Sequence, residues 1–159
     1  MAWRYDARDP ARLAPDIVAQ CRAAENSDKA VVLAVNGPFW QIREWVGMEN
    51  LCLMMVDNPG LVCQMAEFWQ RFTLEVMENL FRQVHVDVLH MSEDMAYKAH
   101  SMISPAMARR FLQPTYLSWS ELCRSYDIAL LDMDSDGEIS ELIPIWIEAG
   151  FNCCDPIEV

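Results

Sequence analysis

Residues 128–150 read IALLDMDSDGEISELIPIWIEAG, and the order of features within them sets the fold class. Ile128 to Leu131 is a short apolar run without alternation, the pattern of a strand buried on both faces in a parallel sheet. An acidic step follows at Asp132, Asp134 and Asp136, closed by Gly137. Ile139, Leu142, Ile143, Trp146 and Ile147 then recur on one helical face, and Gly150 stands where a C-terminal cap belongs. The stretch is one strand-and-helix unit.

Outward from it the same unit recurs. Val86 to Leu89 is a second apolar run, followed by the helix start Ser104-Pro105 and by Pro114, which restarts the helix. Val31 to Val35 is a third, ahead of an N-cap and first-turn proline at Asn58-Pro59. From there Leu61, Met65, Phe68, Phe72, Val76, Leu80 and Val84 mark a long amphipathic helix. A helix around Ala14 to Ala24 comes first, and Asn152 to Asp155 reads as a final short strand. Such alternation predicts an α/β fold, either a doubly wound sheet or part of a (β/α)8 TIM barrel. About four βα units are too few to close a barrel alone.

The chain has 159 residues, 53% of them apolar, which suits one domain with a core of its own. Twelve basic against 24 acidic residues give a net charge of -12, which disfavours nucleic acid and anionic membranes as partners. The N-terminal stretch lacks the apolar segment of a secretory signal, and no apolar run reaches the roughly 20 residues that span a bilayer. The six cysteines form no CxxC pair and sit mostly in apolar stretches, as expected of buried thiols in a reducing cytoplasm.

In a parallel α/β fold the chemistry gathers at the carboxyl ends of the strands. Glu93, Asp94, Asp134, Asp136 and Glu158 fall there and form a prospective carboxylate cluster, able to hold a divalent cation or exchange protons. Each alone serves equally well as a helix cap; together they point to function. Trp40 and Trp45 follow the first strand, where they either line a pocket for a flat ligand or pack under a loop. His85, His90 and His100 lack mutual metal-ligand spacing and read as structural, and Cys153 and Cys154 read as core. Asp134 to Gly137 lacks the spacing and closing glutamate of an EF-hand.

These residues resemble the uroporphyrinogen decarboxylase family, which includes cobalamin-linked methyltransferases. The likeness runs from about residue 31 to the end. Its first part is Gly37-Pro38-Phe39-Trp40 with Gly47-Met48-Glu49 and Asp57-Asn58-Pro59. The second and most specific runs from Val86-Asp87-Val88-Leu89 through Glu93-Asp94-Met95-Ala96-Tyr97-Lys98 to Ile103-Ser104-Pro105, with Phe111, Pro114 and Tyr116. The third is Asp134-Ser135-Asp136-Gly137 with Leu142-Ile143-Pro144, Glu148-Ala149-Gly150 and Pro156-Ile157-Glu158.

The resemblance implies a (β/α)8 barrel about twice this long, of which this chain is a fragment. The arginine-rich N-terminal stretch and early-strand aspartate of the decarboxylases are not recognisable here. Trp45 stands where the decarboxylases keep a substrate-facing tyrosine. Asp134 and Asp136 stand where the methyltransferases keep zinc-binding histidine and cysteine, and two carboxylates suit a harder cation.

The expected function is a uroporphyrinogen decarboxylase-like carboxy-lyase acting on a porphyrinogen or related small molecule. Its catalytic residues would be Asp94, Asp134 and Asp136, with Trp40, Trp45, Glu93 and Glu158 binding substrate. A second reading is a methyltransferase that takes methyl groups from a corrinoid protein or a methylated small molecule. A third is a non-catalytic truncated fragment, whose open edges would favour pairing with another copy as a homo-oligomer.

Overall fold

The computed structural model describes residues 2–25 and 27–157, the side chains of residues 2 and 3 apart. Each predicted run overlaps a strand, but the strands begin one or two residues later and the first three run on past the last apolar residue. The strands are β1 (Val32–Asn36), β2 (Val88–Ser92), β5 (Leu130–Asp134) and β6 (Cys153–Asp155), and they lie side by side in that order, all parallel. Between β2 and β5 a small antiparallel hairpin pairs β3 (Ala96–Tyr97) with β4 (His100–Ser101). The chain is therefore mixed α/β with a four-stranded parallel sheet.

The sheet is not covered on both faces, which corrects the reading of its strands as doubly buried. Burial alternates along them. Leu33, Val35, Leu89, Met91, Leu131 and Met133 point into the core, whereas Val32, at 55% exposure, and Leu130, at 50%, face outward. Polar residues interrupt the apolar runs because they occupy the uncovered face. The strands consequently run on through His90, Ser92, Asp132 and Asp134, beyond the last residue that an apolar count includes.

Seven α-helices are described: α1 (Ile17–Glu25), α2 (Pro38–Val46), α3 (Met48–Asp57), α4 (Pro59–Phe81), α5 (Pro105–Phe111), α6 (Gln113–Ser125) and α7 (Ile143–Glu148). Proline opens α2, α4, α5, α6 and α7 within their first two positions, where its missing N–H costs no hydrogen bond. Ser104 caps α5 by accepting from the Met107 N–H at 3.2 Å. Asn58 precedes α4 as its sequence predicts, but its side chain makes no cap hydrogen bond. Ile139 and Leu142 are buried ahead of α7, which begins only at Ile143, so the last helix is shorter than its apolar spacing implies. Gly150, at φ 99°, ends that unit in the left-handed conformation expected of a cap.

The helices pack in chain order, α2 against α4, α4 against α6, and α6 against α7. Phe39, Ile42, Leu51, Met77, Tyr116 and Trp119 of the helices are buried in one core cluster with Leu89, Met91 and Met133 of the sheet. No described helix is long and apolar enough to cross a membrane. All six cysteines are free thiols.

Candidate functional site

Register turns the uncovered face into rows. At the amino end of the sheet Val32, Val88 and Leu130 lie across from one another, an apolar row. Two residues on, Ala34, His90, Asp132 and Cys153 are aligned, and at the carboxyl end Asn36, Ser92, Asp134 and Asp155 are aligned. Alternate residues of a strand share a face, so all three rows belong to one surface. Its polarity rises toward the strand ends, where a parallel sheet presents its ligand sites.

His90 is the centre of the polar part. Its Nδ1 and the Asp132 Oδ2 are 2.7 Å apart, a hydrogen bond in which the carboxylate accepts when Nδ1 carries the ring proton. The same nitrogen is 4.0 Å from Asp155 Oδ1, and Nε2 is 3.7 Å from Asp134 Oδ2. Burial pushes the Asp132 carboxyl up, but hydrogen bonds with His90, Cys153 and Asp155 outweigh it and hold the group below its ordinary value. Asp155 shifts the other way, raised by partial burial and by the negative charge of Asp132 beside it. Among the described residues, none of these three carboxylates lies within 4.0 Å of an arginine or lysine nitrogen. An imidazole set among carboxylates can relay protons or donate to a cation.

The loops beyond the strands separate the predicted acids. Glu93 turns away from the rows and is fully buried, accepting from the Tyr116 hydroxyl at 2.5 Å and from the Trp40 N–H at 2.9 Å. It caps α2 from inside the protein and has no access to a substrate on the uncovered face. Burial drives its carboxyl up to about 7, against the pull of those hydrogen bonds. Asp94, at φ 45°, turns outward to Arg43, whose Nη1 donates to its carbonyl at 2.9 Å and whose Nη2 is 3.5 Å from Oδ2. The guanidinium stacks 4.2 Å from the centre of the Trp40 ring, so Trp40, Arg43 and Asp94 make one rim on the β1 and β2 side.

Asp136 is exposed past the end of β5. Ser135 beside it is buried, its hydroxyl accepting from the Met95 N–H at 3.0 Å. Trp45 lies elsewhere: its indole N–H donates to the Tyr5 hydroxyl at 3.0 Å, and its ring meets Tyr5, Phe68 and Trp69. It ties the N-terminal segment to α4. Glu158 lies outside the described residues.

Of the predicted acids, then, Asp134 belongs to the rows, Asp94 and Asp136 flank them, and Glu93 does not join them. His90, read from spacing as structural, and Asp132 and Asp155, read only as strand residues, are the ones that the sequence does not assign to the site. Spacing along the chain carries no sign of them, because each comes from a different strand. The signal that was present is periodicity: Asp132 and Asp134 are two apart, as are His90 and Ser92. No family model matches the chain, and no curated protein matches it.

Proposed function

We propose that the chain is part of a uroporphyrinogen decarboxylase-like (β/α)8 barrel, with the uncovered sheet face as the barrel interior and the strand ends as the mouth of an active site. The chain-order sequence of parallel strands supports this reading, since a doubly wound sheet reverses its strand order and so creates a switch point. The observation that carries the function is the row geometry: polar groups from adjacent strands converge on one surface at the end of the sheet where such folds bind ligands.

The reaction proposed is carboxy-lyase chemistry on a porphyrinogen or related small molecule. The bond from carbon to the carboxylate breaks, CO2 leaves, and the electron pair stays on carbon until a proton arrives there. In this reading His90 Nε2 and Asp134, 3.7 Å apart, hold and deliver that proton, while Asp132 fixes the ring from its other nitrogen. Trp40 and Arg43 at the rim offer a flat surface and a cation for a substrate edge. Anaerobic incubation with uroporphyrinogen, followed by chromatography of the oxidised porphyrins, tests the proposal. Products with fewer carboxyl groups are expected, and Asp134→Asn should lower their rate by about a hundredfold. Folded protein that yields none rejects the carboxy-lyase reading.

The three carboxylates, without an arginine or lysine partner among the described residues, favour a second reading, methyl transfer between a corrinoid protein and a cationic methyl donor. Here a methylated ammonium compound should convert cob(I)alamin to methylcobalamin, visible in the corrin absorption spectrum. An unchanged spectrum removes this alternative.

A further inference from the structure

Three neighbouring strands each send one metal-type donor to the same point on the uncovered face. His90 comes from β2, Asp132 from β5 and Asp155 from β6, and one ligand atom from each lies within 4.8 Å of the others. Ligands about 2.1 Å from one ion stand about 3.0 Å apart at right angles and about 4.2 Å apart when opposite. The separations of 2.7 Å from His90 Nδ1 to Asp132 and 4.0 Å to Asp155 are close to those two values.

A second, independent observation concerns Asp132. Its Oδ2 is engaged by His90, while Oδ1 is shut off from solvent and, among the described residues, meets no donor at full hydrogen-bond geometry, although Cys153 and Asp155 lie close enough to help hold the carboxyl low. A carboxylate oxygen in that state costs free energy that a bound ion recovers. An outer partner is near, though not at hydrogen-bond distance. A metal-bound imidazole commonly presents its other N–H to a carboxylate, and His90 Nε2 faces Asp134 at 3.7 Å.

We infer that His90, Asp132 and Asp155 form a binding site for a divalent first-row cation, with Asp134 as the outer partner that orients the imidazole. One nitrogen and two carboxylate donors suit Mn2+, Fe2+ or Zn2+ better than Ca2+, which prefers an all-oxygen shell. The site concerns the face used in the proposed reaction but needs neither reading of that reaction. A bound cation would also offset the negative charge of the three aspartates toward a carboxylated ligand.

Mn2+ is the probe. Chelator-treated protein is titrated with it, bound ion is measured by the loss of the free-ion paramagnetic resonance signal, and turnover plays no part in the readout. One equivalent should bind, and His90→Ala and Asp155→Asn should each weaken binding at least tenfold, whereas Asp136→Asn, a carboxylate outside the triad, should leave it within about twofold. Circular dichroism verifies folding; should His90→Ala misfold, Asp155→Asn decides, because that side chain is 63% exposed and outside the core. No binding at millimolar Mn2+ overturns the site. Equal weakening in Asp136→Asn also overturns it, because general negative charge would then be the attraction. A protein that binds Mn2+ yet decarboxylates nothing would reject the reaction and keep the site.

Discussion

A carboxyl sealed between the Tyr116 hydroxyl and the first turn of α2 ties one proton to folding. Glu93 rises from an ordinary 4.5 to about 7 in the folded protein, so the native state binds its proton more tightly than the unfolded chain does. Its contribution to stability is full below about pH 4.5, falls as pH rises, and is gone above about 7, a change of about 3 kcal/mol. Wild type should therefore lose about that much relative to Glu93→Gln between those pH values, read as the difference in urea midpoints; a constant difference would remove burial of the acid as the cause. Tyr116→Phe deletes one of the donors to a buried carboxylate and should cost about 1–3 kcal/mol in the same measurement. Neither effect was legible in the sequence. Glu93 reads there as one more acid at a strand end, and only the fold sets Tyr116, twenty-three positions later, against it. Asp134 was legible because its own strand supplies the cue, whereas His90 gains its role from three carboxylates on other strands.

Elements meet through contacts that leave no room for a side chain. Gly137 has φ 87°, and a Cβ there would stand 2.7 Å from the Tyr97 backbone in the β3–β4 hairpin. Gly137→Ala adds left-handed strain of about 1–2 kcal/mol to that collision, and it should lower stability by at least about 2 kcal/mol in denaturant unfolding. A loss under half a kcal/mol would mean that the hairpin yields freely. Ser104→Ala, by contrast, removes a single cap and should cost about 1 kcal/mol. The helix starts were readable because proline and the cap residues act locally. The strand ends were not, since His90, Ser92, Asp132 and Asp134 look like loop residues until one face of the sheet is known to be uncovered. The hairpin at Ala96–Ser101 gives no apolar signal and was missed.

Across the whole molecule, the aromatic group of Tyr5, Trp45, Phe68 and Phe72 holds the first residues against α4. Trp45→Ala should speed proteolytic cutting ahead of α1 while leaving the far-ultraviolet spectrum unchanged; equal cutting rates would show that the other rings suffice. The class of fold was legible at this scale, as one parallel sheet with helices between its strands, because the alternation repeats along the chain. How the rows assemble was not, because register depends on how strands pair. The alternation of faces has a further effect on how this protein can change. Along β2, Leu89 and Met91 hold the core while His90 and Ser92 face outward, and β5 divides its duties in the same way. Variation at every second residue can then revise the chemistry of the outer face while the intervening positions keep the fold, so a changed surface is reachable by single steps that leave the core packing intact.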